Sequence, residues 1–369
     1  MSGGLGKGSD ESFDEGAGEG LIDWDLAQRV AAGVAGSGPE ERLDASALIA
    51  AAEPSAELVI EYSGLRPKGA LPEPELIDRR EWVATNLATL REVAATIERR
   101  LADSLRLPGA FGAGARAIAG AATGVEVGLV SGYLAQRVVG QYDIALIGPS
   151  RTPRLLFVGP NLVELRRRIG ADRDLLLRWI ALHESTHAVQ FAAVPWLRDH
   201  VGGLVARLVE TTELRIEPQA LLQRVRSFDP RPVIEGLRKG DLIRLLAGEE
   251  RRELLDELQA TMAVIEGYSD HVMDAVGEQL DPRYGEMRDR FEQQRTNRSP
   301  LELLITRLLG LDMKLRQYSL GKAFADATSE RAGIEGLNRV WSEPAALPSL
   351  EELERPELWL ARTGLAAVR

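Results

Sequence analysis

Two histidines four residues apart, with a glutamate directly after the first, constrain this chain more than any other feature: His183-Glu184-Ser185-Thr186-His187. Four residues is a little over one turn of α-helix. A helix therefore stacks both imidazoles on one face, within reach of a single ion. The flanking residues are apolar, with Leu175-Leu176-Leu177 upstream and Ala181, Leu182, Ala188 and Val189 beside the motif. The helix is read as buried, and polar groups in such a helix need a partner. The chain has only four histidines, and the whole pattern would arise by chance about 0.003 times in a chain of this composition. Zinc accepts neutral imidazole nitrogen at about 2.0–2.1 Å, so one zinc ion per chain is expected on His183 and His187. Glu184 falls beside that ion rather than on it, where a general base for an activated water must stand.

Two histidines do not complete a catalytic zinc site, which needs a third protein ligand. The extended motif with a third histidine six residues on is not present, because Gln190 and Ala193 occupy the positions of its glycine and histidine. The third ligand must come from elsewhere. The segment Val264-Ile265-Glu266-Gly267-Tyr268-Ser269-Asp270-His271-Val272-Met273-Asp274 places three carboxylates and a histidine in an otherwise apolar helical stretch. Glu266 and Asp270 share a face. Glu266 is the first candidate for the metal, and Asp270 for bracing a metal-bound histidine through its second nitrogen. His271 lies about 140° around the helix from Glu266. It is the rival ligand, or a rim group that stabilises an oxyanion. His200 is read as structural or exposed.

Composition narrows the alternatives. The absence of cysteine removes disulfides, thiolate catalysis and cysteine zinc sites, and suits a cytoplasmic location. A net charge of -11 argues against a nucleic-acid partner. Hydrophobic residues at 44% but aromatics at 5% mean an ample core built mostly of aliphatic side chains. Residues 1–20 are rich in glycine and acids, and read as a disordered tail without the apolar run of a signal peptide.

Residues 21–369 are expected to form one domain, with an N-terminal helical part at 21–140 and a metal-site part at 141–369. Helices are predicted at 21–35, 40–52 and 73–106. A Gly/Ala helix follows at 117–135, with glycines at 120, 124, 128 and 132. These glycines form a ridge that lets another backbone approach closely. Glu126 in its middle argues for a core helix over a membrane span. The pattern then changes. Residues 142–147 and 154–158 read as a β-hairpin around the turn cluster 148–153. A helix capped at or near Asn161 follows, then the motif helix from Asp172 to about 192, ended by Pro195. Residues 203–336 read as helices with breaks near Pro230, Gly240 and Pro300, and short helices close the chain at 349–363. The expected fold class is mainly α (α+β), a helical bundle with one small sheet before the motif helix.

The motif with its downstream Glu266-x-x-x-Asp270 resembles the gluzincins, the thermolysin-like branch of the zincin metallopeptidases. More closely, the chain is similar to a family of zincin-like proteins often labelled hydrolases or coenzyme F420 biosynthesis-associated proteins. The resemblance rests on Ile22-Asp23-Trp24-Asp25, Gly140-Gln141-Tyr142-Asp143, Val158-Gly159-Pro160-Asn161, the stretch 183–196, the stretch 266–274 and Leu311-Asp312-Met313-Lys314-Leu315-Arg316-Gln317-Tyr318. It covers nearly the whole chain after the tail. It implies a zincin-like fold with an edge strand before the active-site helix, and leaves the substrate open.

The expected function is zinc-dependent hydrolysis of a peptide or another amide or carbonyl substrate. Glu184 acts as base and an extended substrate pairs with an edge strand, taken as residues 154–158. The competing reading is a non-catalytic zinc that ties two helices together. A third, a membrane-embedded metalloprotease, depends on the glycine-ridge helix.

Overall fold

A computed structural model describes residues 21–101, 110–146, 151–211, 249–296 and 311–365. The expected tail at 1–20 and the expected breaks near Pro230, Gly240 and Pro300 lie outside these residues. The described chain is mainly helical with one three-stranded sheet, as the sequence pattern predicts. Contacts divide it into two units: residues up to Gly36 with Val83–Ala135, and Ser37–Trp82 with Gln136 onward.

In the first unit, α1 (Trp24–Ala35) packs on α4 (Ala110–Ala135). Asp23 caps α1 by accepting from the Leu26 N–H at 2.9 Å. Ala27, Ala31 and Ala35 are its buried residues, and they meet the predicted glycine ridge. A Cβ on Gly128 would lie 2.7 Å from both the Ala27 carbonyl oxygen and the Val30 Cβ, and one on Gly132 2.7 Å from the Ala31 oxygen. The contact is thus close enough to exclude any side chain at these positions. The opposite side of α4 is open: Ile118 is 59% exposed and Leu129 49%. Only 22% of the stretch Ala117–Ala135 is buried, and it is long and apolar enough to cross a membrane by length and composition. The expectation of a core helix is therefore met on the glycine side alone.

The second unit contains the sheet. Its strands are β1 (Pro74–Ile77), β2 (Gly140–Asp143) and β3 (Arg154–Val158), in the order β1-β3-β2. The predicted hairpin exists as β2 antiparallel to β3, with Gly140 opposite Phe157 and Asp143 opposite Arg154. It is shorter at its turn end than the pattern suggests, because Ile144–Leu146 are not in a strand. β1 pairs parallel with β3 on the other side, Pro74 opposite Leu155. Two expectations change as a result. The predicted helix at 73–106 begins only at Arg79 as α3 (Arg79–Leu101). The sequence carries the reason: Pro74 opens a strand, and Asp78 accepts from the Arg80 and Glu81 N–H groups while Glu81 accepts from the Asp78 N–H, a capping box that starts the helix. The second change concerns the substrate edge. β3 is the central strand, hydrogen-bonded on both sides, so residues 154–158 offer no free edge. Their continuous apolar run, buried from Leu155 to Val158, is what a central strand covered on both faces requires.

Behind β3 the chain turns straight into α5 (Gly159–Ile169), with Pro160 in its first turn. Asn161 does not cap this helix. Its side chain is buried, accepts from Arg79 Nε at 2.6 Å and donates to the Val138 carbonyl at 2.6 Å, tying the start of α3 to the approach to β2. Next come α6 (Arg173–Ala193), which carries the motif, and α7 (Pro195–Glu210). Asp172 caps α6 by accepting from the Asp174 and Leu175 N–H groups, as the sequence predicts. After these lie α8 (Glu249–Leu280), α9 (Tyr284–Thr296), α10 (Leu311–Leu337) and the short α11 (Leu350–Glu354) and α12 (Pro356–Arg362). α2 (Ala45–Ser63), β2 and α8 surround α6. α8 and α10 approach as closely as α1 and α4 do, with Gly267 against the backbone of Gly321 and Gly321 against that of Ala263.

Candidate metal centre

The helix α6 presents His183 and His187 on one face, as their spacing requires. Their Nε2 atoms lie 3.2 Å apart and their rings meet edge to face. α8 runs past this face and brings Glu266 to it. Glu266 Oε2 is 3.8 Å from His183 Nε2 and 3.5 Å from His187 Nε2. These three side chains form a group that could hold a metal ion. The separations fit zinc: donors bonded tetrahedrally at about 2.0–2.1 Å stand about 3.3–3.4 Å apart. Between the two third-ligand candidates, it is Glu266 that joins the histidines.

His271 stands apart from this group. Its Nε2 lies 3.0 Å from the Tyr62 hydroxyl on α2, and its Nδ1 3.0 Å or less, at 2.8 Å, from Asp326 Oδ1 on α10. Lys322 pairs with both Asp326 and Asp274. Both ring nitrogens of His271 are thus engaged by α2 and α10. Asp270 lies one turn on from Glu266, half-buried; the Tyr284 phenol pKa is raised by burial and, to a lesser degree, by the charge of Asp270. His200 is half-buried beside Trp196, with Glu257 Oε1 3.7 Å from its Nε2.

The groups that touch the far nitrogens of His183 and His187 are ones the sequence pattern did not single out. Gln190 Oε1 lies 3.0 Å from His187 Nδ1, and the same amide donates to the Ile265 carbonyl on α8 at 3.0 Å. Met273 Sδ lies 3.2 Å from His183 Nδ1. Ser269 Oγ donates to the His183 carbonyl at 3.5 Å. A signal for Gln190 was available: it is three residues beyond His187, on the same face of an apolar helix, where a polar side chain needs a partner.

Electrostatics set the protons of this group. Burial and the neighbouring His187 push the His183 imidazole down to about 4, against the pull of Glu266. Burial also opposes charge on His187, but the charge and hydrogen bond of Glu266, with Glu184 and Gln190, outweigh it and push that ring up to about 9. Of the two rings, His187, the one nearer the carboxylate, is favoured to take up a second proton and carry the positive charge.

Glu184 is 6% exposed. Burial pushes its carboxyl up to about 7; the charge of Glu266 adds to this, while His187 and a hydrogen bond from the Tyr142 backbone oppose it. β2 supplies that hydrogen bond. In an antiparallel pair, alternate residues exchange hydrogen bonds with the partner and those between face outward. The Val158 N–H donates to the Val139 carbonyl, so with this register Gln141 and Asp143 bond to β3, and Gly140 and Tyr142 turn their backbone groups to the free edge. Glu184 lies against that edge. A Cβ on Gly140 would fall 2.5 Å from Glu184 Oε1, so only glycine leaves room for the carboxylate there.

Comparison with known proteins agrees with this geometry. A solved structure from Chloroflexus aurantiacus, described as a putative hydrolase with a novel fold, shares 29% identity with this chain at a TM-score of 0.68. The likeness covers 93% of this chain and 99% of that one. No curated protein gives a match. Residues 22–360 match the family described as zincin-like metallopeptidase. With that match spanning α6, α8 and the sheet beside them, the chain belongs to the zincin-like metallopeptidase family.

Proposed function

We propose that this protein is a zinc-dependent peptidase in which His183, His187 and Glu266 hold the metal and Glu184 is the general base. The observation that carries the reading is the placing of a buried carboxylate, Glu184, between three zinc-spaced donors and the free edge of β2. When bound, zinc supplies a Lewis acid that lowers the pKa of water toward about 7 and polarises a carbonyl. Glu184, a buried carboxylate beside the three donors, is placed to accept a proton from that water and return it to the leaving amine. The Tyr142 N–H and the gap left by Gly140 hold that carboxylate in place. An extended peptide pairing with the outward groups of β2 other than the Tyr142 N–H, which holds Glu184, would lie along that carboxylate; β2 takes the role that the sequence pattern assigned to residues 154–158.

The alternative of a structural zinc clip between α6 and α8 asks for a closed, four-ligand site. Among the described residues the group offers three donors, and Glu184 has no part in such a clip. The experiment that separates the two is cleavage of a peptide library by zinc-loaded protein beside Glu184→Gln. The variant is expected to keep its zinc and to lose activity by about 100-fold or more. Wild-type cleavage by the variant would remove Glu184 as base, and a zinc-loaded wild type that cleaves no library member would favour the clip.

A further inference from the structure

We propose that Gln190 is a positioning residue that sets two of the three metal donors at once. The inference rests on the metal reading of the site. Gln190 is fully buried and makes two hydrogen bonds that leave its amide one orientation. The Ile265 carbonyl can only accept, so the NH2 group must face it at 3.0 Å, and the amide oxygen must face His187 Nδ1 at 3.0 Å. His187 is therefore a donor at Nδ1. In its neutral form the ring then carries its lone pair on Nε2, the atom that lies 3.2 Å from His183 Nε2 and 3.5 Å from Glu266 Oε2. The amide thus selects the tautomer that can ligate.

The other end of the same amide acts on the second donor. Ile265 immediately precedes Glu266, so the bond to its carbonyl fastens α8 to α6 at the residue that delivers the carboxylate. The contact from Ser269 Oγ to the His183 carbonyl joins the same two helices but is longer, at 3.5 Å. On the remaining histidine the group facing Nδ1 is the Met273 thioether, a weak acceptor that orients a ring less strongly than an amide oxygen. Gln190 is the neutral bracing group that reaches both helices.

The test uses the full-length protein and two probes, zinc and cobalt(II). Gln190→Leu keeps a buried side chain of similar bulk and removes both hydrogen bonds, with no sulfur to accept from the imidazole. Zinc affinity measured by chelator competition is expected to fall about 10–100-fold, in the range for loss of a group that orients a metal ligand. The visible spectrum of the cobalt form is expected to shift as the imidazole loses its fixed direction. An affinity within threefold of wild type and an unchanged cobalt spectrum would overturn the proposal, whatever happens to thermal stability. Should the variant not fold, long-range proton–nitrogen NMR on zinc-loaded wild type carries the test. His187 is expected to coordinate through Nε2 with a protonated Nδ1, and coordination through Nδ1 overturns the inference. A wild type that takes up no zinc removes the metal reading and this inference together. A zinc-binding wild type beside an unaffected variant removes this inference alone.

Discussion

The helices α4 and α6 read alike in the sequence and are treated oppositely by the fold. α4 is the more apolar of the two, yet its glycine side alone is covered and Ile118, Val125, Leu129 and Val130 are exposed. α6 carries Glu184, Ser185, Thr186, His187 and Gln190 in one stretch, and all five are buried. Apolar composition states what a helix can bury, while its neighbours decide what it does bury. α4 has its close partner in α1, whereas α6 is enclosed by α2, β2 and α8. Several polar residues of α6 have partners inside this enclosure: Thr186 bonds to the Leu182 carbonyl and Gln190 to His187 and Ile265. α4 turns its glycine ridge to a close partner, and α6 turns its polar face inward.

The comparison can be broken most directly at the histidines. His183→Ala and His187→Ala are each expected to reduce bound zinc from about one per chain to near none, since two remaining donors hold zinc poorly. Elemental analysis of purified variants checks this, and unchanged zinc in both would move the metal elsewhere. A smaller effect is expected from Gly128→Val on α4. The new side chain meets the Ala27 carbonyl and Val30, and overpacking of this kind costs about 1–3 kcal/mol. Denaturant unfolding should show that loss while zinc content stays at wild-type level, which separates the packing ridge from the metal face. The smallest effect belongs to Leu129→Gln. At 49% exposure, the change is expected to stay within about 0.5 kcal/mol. A loss above about 1.5 kcal/mol would mean that this face of α4 is covered in solution and that the contrast with α6 is weaker than drawn.

Much of the site was legible because it depends on local periodicity. The spacing of His183 and His187, the Asp172 cap and the ends of the motif helix all follow from helix geometry and hydrogen-bonding chemistry within one segment. The glycines of α4 foretold a close helix contact for the same reason. Glu266 was reachable only as one of two candidates, because nothing local says which face of α8 turns toward α6. β1 escaped because the four residues Pro74–Ile77 are too few to establish a period against the helix that follows. Its cues, Pro74 and the capping box, were nonetheless present.

By itself, the sequence determined which residues can ligate a metal, which helix must carry them, and where that helix starts. Those properties are written in spacings of three and four residues and in side-chain chemistry. Tertiary structure alone decided that Glu266 rather than His271 meets the histidines, that β2 rather than β3 is the outer strand beside Glu184, and that Gln190 joins His187 to the helix of Glu266. Each of these is a contact between segments far apart in the chain, and no local period encodes the angle at which two helices cross or the order of strands in a sheet.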